Sequence, residues 1–181
     1  GYVGMLAPWK GVHQLISFAS LYEEELRAIG VCEIRIYGGQ IYETTGNHHS
    51  YDNELCLLKE KMSASLISFC GLDSPANIFS EIDLLLHTSI DEEPFGRVLI
   101  EAMSADVTVL STGLGGALEL IGSCEERGLK LLSYDYAGWF KQVEKALLSN
   151  DDIQRMKDEA YQFSLLMDER IEKQVQNLLN S

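Results

Sequence analysis

Two glutamates, Glu93 and Glu101, bracket a segment in which a loop changes into a helix. The seven residues between them, PFGRVLI, begin with a proline and soon contain a glycine, and then continue as an apolar helical pattern. Because a helix rises about 1.5 Å per residue, we expect the two carboxylates to lie roughly 10–12 Å apart. A carboxylate can accept hydrogen bonds from two hydroxyls at once, which is how proteins often bind the diols of ribose and other sugars. The pair therefore matches the span of a nucleotide sugar from its ribose to its hexose.

The same segment has a purely structural interpretation. Arg97 and Glu101 are four residues apart. On a helix surface such residues form an ion pair that contributes only about 0.3–0.5 kcal/mol. The spacing alone favours this interpretation, so a binding role for Glu101 depends on the rest of the chain.

The charge of the chain excludes two classes of partner. There are 14 lysines and arginines against 28 aspartates and glutamates, which gives a net charge of −14. Nucleic acids and anionic membranes are bound through clustered Lys and Arg, so we expect neither as a partner. No apolar run approaches the ~18 residues that a transmembrane helix needs.

The start of the chain and its cysteines indicate the kind of polypeptide. The chain opens on the strand-like stretch GYVGML, without an initiating Met or a secretory leader. We therefore expect one domain of a longer cytoplasmic polypeptide. The four cysteines form no C-x-x-C pair, which argues against a zinc site or a disulfide framework. We expect buried thiols at Cys32, Cys56, Cys70 and Cys124.

Short β-type runs alternate with helical patterns over the first 134 residues. The six candidate strands are 2–6, 32–37, 65–69, 82–87, 107–111 and 129–134. One face of the first helical pattern, over residues 10–30, carries Val12, Leu15, Ile16, Ala19 and Leu26. This alternation predicts βαβ units and a doubly wound, mainly parallel six-stranded Rossmann-like sheet. Ligands of such sheets bind at the C-terminal ends of the strands.

After residue 134 the pattern predicts extra C-terminal helices and no further strand. Asp151 and Asp152 suit the start of a helix, which residues 164–181 either continue or follow as a separate terminal helix. The apolar stripe of this last segment consists of Leu165, Leu166, Ile171, Val175, Leu178 and Leu179. It packs either on its own domain or on a second domain outside the chain, and both alternatives stay open.

The segment EEPFGRVLIEAMS, followed by TGLGGALELI, resembles the donor-site signature of family-4 retaining glycosyltransferases, or glycosyl transferases group 1. Further segments resemble the same family in the same order, at residues 3–16, 34–39, 67–73 and 78–89. Enzymes of this family have a GT-B architecture of two Rossmann-like domains with a cleft between them. The resemblance implies that residues 1–181 form the C-terminal half, which binds the nucleotide-sugar donor.

The resemblance also implies roles at the positions that match the signature. Glu93 would bind hydroxyls of the transferred sugar, and Glu101 would accept hydrogen bonds from the ribose. Backbone N–H groups of Phe95, Gly96 and Arg97 would hold the sugar and the distal phosphate.

Other matching segments would supply the remaining contacts. Lys10 would neutralise the diphosphate as it departs. The residues framing the nucleobase would be Gly39, Gly71 and Leu72, and a donor-edge loop would contain Gly115, Gly116 and Glu119.

The implied reaction transfers a sugar from a nucleoside-diphosphate sugar, as substrate, to an acceptor hydroxyl, with no cofactor and no metal. The acceptor would be a glycan, a lipid or a small molecule. Its site and the catalytic histidine would belong to the missing N-terminal domain, which could also bring the protein to the inner membrane. No catalytic residue is therefore assigned in this chain, and none of its histidines takes that role. These are His13, His48, His49 and His87.

Several positions depart from the family's pattern. Met5 stands where an arginine often shares the diphosphate, and Asp106 and Thr108 stand where a glycine and a proline are usual. The usual Pro-Ser after the strand DLLL is here His87-Thr88. Met5 and Asp106 favour an alternative function, that of a non-catalytic nucleotide-sugar-binding or interaction module on the same fold. A nicotinamide-binding domain is disfavoured because no G-x-G-x-x-G follows the first strand.

Overall fold

Six parallel strands alternate with helices in the computed structural model, which describes residues 1–39, 51–148 and 150–179. The strands are β1 Tyr2–Val3, β2 Ile34–Tyr37, β3 Ile67–Gly71, β4 Leu84–His87, β5 Thr108–Ser111 and β6 Leu129–Lys130. Each coincides with one of the six predicted segments. Five are shorter than predicted, and β3 runs two residues past the predicted end at residue 69. His48 and His49 lie outside the described residues.

The helices fill the intervals between strands and the C-terminal part of the chain. They are a short 3₁₀ helix Pro8–Lys10, α1 Val12–Leu21, α2 Glu23–Ala28, α3 Tyr51–Lys61, α4 Pro75–Ser80, α5 Arg97–Ser104, α6 Gly116–Ile121, α7 Tyr136–Leu147 and α8 Asp151–Leu179. The pattern over residues 10–30 is therefore split at Tyr22, where φ is −117° and ψ is 24°. Three glutamates then open α2, where negative charge favours a helix start.

The strand order makes the sheet doubly wound. Hydrogen bonds pair β1 with β2 and β2 with β3, and likewise β4 with β5 and β5 with β6, always in parallel. The two three-stranded parts meet where the Leu86 N–H donates to the Gly1 carbonyl at 2.8 Å. The resulting order is β3-β2-β1-β4-β5-β6. The order in which successive strands are added reverses between β1 and β4, and crevices at such a switch point are where doubly wound sheets bind ligands.

Helices cover both faces of this sheet and bury its apolar side chains. All five apolar residues predicted for the first helical pattern are buried: Val12, Leu15, Ile16, Ala19 and Leu26. On the other face α5 buries Leu99, Ile100, Ala102 and Met103. This apolar stripe determines the rotation of α5 and leaves Glu101, which lies between the stripe's residues, 35% exposed at one side of the helix.

The C-terminal segment forms one continuous helix, α8. Its first half packs on the same face as α5, with Ala160 buried and Phe163 and Met167 partly buried against that cluster. Leu165 and Leu166 are exposed, and the remaining residues of the apolar stripe are beyond the described side chains. Packing of residues 164–181 on a second domain therefore stays a prediction. Among the described residues, no helix combines the length and the apolar composition needed to cross a membrane.

The prediction of buried cysteines was wrong, because all four thiols are free and exposed. Cys70 lies near the end of β3, which is an edge strand of the sheet. Cys56 neighbours Leu55, the residue that α3 buries, and so lies on the outer side of that helix. The two others are in connecting segments. A small apolar side chain is thus a weak indicator of burial where the element itself lies at the edge of the fold.

Candidate functional site

Two loops at the C-terminal edge of the sheet bring Lys10 and Glu93 together. The first loop runs from β1 to α1 and contains Lys10, and the second runs from β4 to α5 and contains Glu93. Because β1 and β4 are neighbours, the Lys10 ammonium forms an ion pair with Oε2 of Glu93. Both side chains are largely shielded, with 20% and 14% of their surfaces exposed. The family resemblance implied that both residues belong to one site, and the structure brings them into contact.

Backbone contacts hold the two loops against each other. The Ile90 N–H donates to the Trp9 carbonyl at 2.8 Å, and the Thr88 hydroxyl donates to the Lys10 carbonyl at 2.9 Å. Gly11 follows Lys10 with φ at +68°, and a Cβ atom there would lie 2.1 Å from the Thr88 carbonyl oxygen. Only glycine fits this approach, so the position of Lys10 relative to Glu93 is set by backbone geometry.

The predicted donor-edge loop also contacts Glu93 through backbone. The Gly116 N–H donates to the Glu93 carbonyl at 2.7 Å, and Glu93 and Gly115 form a parallel bridge. A Cβ atom at Gly115 would lie 2.7 Å from the Glu93 carbonyl oxygen, and one at Gly116 would lie 2.6 Å from that of Pro94. The two glycines therefore allow close packing of the loops. Glu119 is exposed in the first turn of α6.

Sequence reasoning missed one member of this cluster, His87. The residue is 4% exposed, and its Nδ1 lies 2.9 Å from the Ser111 Oγ. Nε2 lies 3.3 Å from the Ser89 Oγ and 3.5 Å from Oε2 of Glu93. The carboxylate thus lies between Lys10 and His87. The signal that could have found this residue was the His87-Thr88 departure at the end of a central strand.

These neighbours keep Glu93 ionised. The hydrogen bond from His87 and the hydrogen bond and charge of Lys10 lower the pKa of the Glu93 carboxyl from its ordinary 4.5 to about 2, although burial acts in the opposite direction. At neutral pH the group is therefore an anion that accepts hydrogen bonds and donates none.

From the lowered pKa of Glu93 we predict how the free energy of unfolding depends on pH. A carboxyl with a depressed folded-state pKa stabilises the fold above its unfolded value of about 4.5, and this contribution is lost as pH falls towards 2. Replacing Glu93 by glutamine should lower the free energy of unfolding by about 2 kcal/mol at pH 7. The difference from wild type should shrink at pH 3, as measured by urea denaturation at both pH values. Glu92→Gln, at an exposed neighbouring position, is the control, and a pH-independent difference for Glu93→Gln would contradict the assignment.

A second part of the same edge forms an open cavity of about 210 Å³ beside Glu101. Its lining includes Glu101 and all three residues predicted to frame a nucleobase, Gly39, Gly71 and Leu72. The loop after β1 also contributes to it through Gly4 and Met5, and α4 through Pro75, Ile78 and Phe79. The structure therefore places the predicted ribose-binding and base-framing residues around one space.

The structural interpretation of Glu101 is also realised, but weakly. Arg97 Nη2 lies 3.5 Å from Glu101 Oε1, and the arginine side chain is 83% exposed. An ion pair at this exposure contributes little to stability, so it leaves the carboxylate available to a ligand. The Gly96 that precedes α5 has φ at +76°, and Phe95 before it is 39% exposed. The first N–H groups of α5 lack acceptors within the helix and can donate to a ligand.

The chain belongs to the glycosyl transferases group 1 family, whose family model matches residues 1–163. The protein YtcC of Bacillus subtilis (strain 168) is 28% identical over 159 residues, which cover 86% of this chain and 38% of YtcC. Alr3699/HepE of Anabaena, solved in complex with UDP-glucose, matches at 20% identity with a TM-score of 0.77. That match covers 98% of this chain and 48% of HepE.

A further match is to the structure of a single C-terminal domain. The C-terminal domain of the LpcC glycosyl transferase group 1 family protein of Francisella tularensis is 18% identical, with a TM-score of 0.69. The match covers 90% of this chain and 81% of that domain. The fold is therefore that of a GT-B C-terminal domain, as predicted. The chain spans less than half the length of YtcC and of HepE.

Proposed function

We propose that this chain is the donor-binding domain of a retaining, family-4 glycosyltransferase, and that its donor is a UDP-sugar such as UDP-glucose. The observation that carries the proposal is the arrangement of one sheet edge. Glu101 shares a cavity with the base-framing glycines, while Glu93 and Lys10 occupy the adjacent loops. HepE, which has the same fold, binds UDP-glucose in its crystal structure and supports the choice of nucleotide.

In the proposed pose, each part of the donor lies against a specific set of residues of this chain. The base lies against Gly39, Gly71 and Leu72, and the ribose hydroxyls donate to Glu101. The diphosphate lies between Lys10 and the first N–H groups of α5, and the sugar hydroxyls donate to Glu93.

Lys10 links binding to chemistry in this proposal. Without ligand its charge is paired with Glu93. A bound diphosphate offers a second anion, and the bond to the sugar breaks with negative charge accumulating on the diphosphate oxygens. Lys10 then stabilises the departing group electrostatically, and no metal is required for this step. Met5, in place of the family's arginine, contributes no second cation to the cavity that it lines.

The remainder of the reaction is assigned to a second domain. We propose that it binds the acceptor, a glycan, a lipid or a small molecule, and supplies the catalytic groups, in the cytoplasm or at the membrane surface. The competing candidate is a non-catalytic nucleotide-sugar-binding module, which the cation-poor cavity at Met5 favours. The two differ in the turnover of the full-length protein: a module binds the donor and never consumes it.

Titration calorimetry on the purified chain tests the donor site. We expect UDP and UDP-glucose to bind, with affinities unchanged by EDTA because protein cations and N–H groups neutralise the phosphates. Inorganic phosphate alone should bind far more weakly, since the base and ribose contacts are absent. Failure of both nucleotides to bind at millimolar concentration, or strict dependence on a divalent ion, would overturn the proposed site. Sugar transfer by the chain without a partner would overturn the assignment of the acceptor to another domain.

A further inference from the structure

We propose that His87 is a positioning residue for the donor sugar, which holds one oxygen of Glu93 so that the other can accept from a sugar hydroxyl. The proposal rests on the proposed function of Glu93. His87 differs from the predicted site residues in its position. It is the last residue of β4, is only 4% exposed, and contacts the Glu93 carboxylate from the protein interior.

The surroundings of the ring determine its tautomer. Nε2 lies 3.5 Å from an ionised carboxylate oxygen, so this nitrogen carries a proton, since its lone pair would otherwise face negative charge. In the neutral ring Nδ1 is then the acceptor, and the Ser111 hydroxyl at 2.9 Å donates to it. Ser111 is suited to this direction because its oxygen already accepts the Gly113 N–H at 3.1 Å. Donation thus runs from Gly113 through Ser111 to His87, and Nε2 of His87 faces Oε2 of Glu93 at 3.5 Å.

The end of β5 holds His87 and Ser89 in place. The Thr112 N–H donates to the His87 carbonyl at 3.0 Å, and the Thr112 hydroxyl donates to the Ser89 carbonyl at 2.6 Å. The Ser89 hydroxyl lies between the ring and Glu93, at 3.3 Å from Nε2 and 3.5 Å from Oε2. The histidine is therefore held by a network of buried groups at the ends of β4 and β5.

A bound donor changes the contact of Lys10 with Glu93 but leaves the contact of His87 with Glu93 in place. Within the described residues, the contacts of the carboxylate from Lys10, His87 and Ser89 all involve Oε2. When Lys10 turns to the diphosphate, His87 remains on Oε2 and prevents rotation of the carboxylate. Oε1 then stays directed to the sugar.

Two substitutions separate positioning from packing. In His87→Gln the side-chain amide can place an N–H where Nε2–H lies, whereas in His87→Asn the shorter amide reaches only the region of Nδ1 and Ser111. We expect His87→Asn to weaken UDP-glucose about tenfold while UDP changes less than about twofold, because a carboxylate that is no longer held loses its hydrogen bond from the sugar hydroxyl. His87→Gln should retain most of the affinity for UDP-glucose. The control is His13→Asn, a histidine whose ring contacts Tyr51 elsewhere, which should change neither affinity.

Calorimetry with both ligands gives distinguishable failures. If wild-type protein binds neither ligand, the proposed function fails. The positioning role is overturned if wild type binds UDP and UDP-glucose and both His87 variants bind the two ligands equally weakly. It is also overturned if neither variant changes either affinity. A spectroscopic measurement covers the case of a variant that does not fold. Nitrogen NMR of the wild-type protein should show His87 protonated at Nε2 and unprotonated at Nδ1, and the opposite tautomer would overturn the proposal.

Discussion

Replacing Glu101 by alanine is expected to weaken UDP and UDP-glucose by the same factor, roughly 10- to 150-fold. The carboxylate lines the cavity that Gly39, Gly71 and Leu72 also line, so it faces the part of the donor that both ligands share. Hydrogen bonds from ribose hydroxyls to an ionised group contribute about 1.5–3 kcal/mol, which corresponds to this range. Calorimetric titration of each ligand into wild type and Glu101→Ala measures it.

Arg97→Ala is the matched control for this variant. It removes the helix-surface partner of Glu101 and leaves the carboxylate in the cavity. We expect little change in either affinity and a small change in the free energy of unfolding, because the pair is exposed. If Glu101→Ala keeps both affinities and only repeats the small stability effect of Arg97→Ala, the glutamate is a surface partner and the ribose assignment is wrong.

Replacing Glu93 by alanine should separate the two ligands. We expect UDP-glucose to bind at least about tenfold more weakly, because the sugar loses its charged acceptor. UDP should bind no more weakly than to wild type, because it does not reach Glu93 and because Lys10 no longer has the carboxylate as a competing partner for the diphosphate. Titrating both ligands into wild type and Glu93→Ala gives the ratio of affinities that decides the matter.

Two further variants make the Glu93 measurement specific. Lys10→Ala should weaken UDP and UDP-glucose alike, since both carry the diphosphate. Glu92→Ala, at an exposed neighbouring position, should affect neither. Equal losses of UDP and UDP-glucose in Glu93→Ala would show that this carboxylate does not bind the sugar.

Both glutamate predictions began as a spacing in the sequence, and the structure changed what they mean. The seven-residue interval identified two carboxylates on one loop and one helix. It did not reveal that Glu93 is paired with Lys10, 83 residues earlier. This contact exists because the loops after β1 and β4 are adjacent, and strand order is not a local property of the sequence.

Six strands and most helices were predictable because the spacing of apolar residues, and the prolines and glycines that end an element, are local features of the sequence. β4 and α5 are recognisable from a short apolar run, a loop with proline and glycine, and a helical stripe. Burial of the cysteines was not predictable in the same way. Cys70 lies in a strand segment, but β3 is at the edge of the sheet, and only the strand order shows this.

The site residues also fall into two groups, those indicated by the sequence and those that only the structure reveals. Motif spacing indicated the Glu93–Glu101 pair, because a short interval of sequence carries that information by itself. The resemblance to the glycosyltransferase family added Lys10 and the glycines. His87 received no role from the sequence beyond its exclusion as the catalytic histidine. A lone histidine at a strand end carries no local sign of its partners. Its role arises from Ser111 on the next strand and from Glu93 on the following loop, which come within hydrogen-bonding reach only when β4 pairs with β5. Interactions between side chains distant in sequence are decided by packing, because a hydrogen bond requires contact within about 3.5 Å, and the fold alone sets that distance.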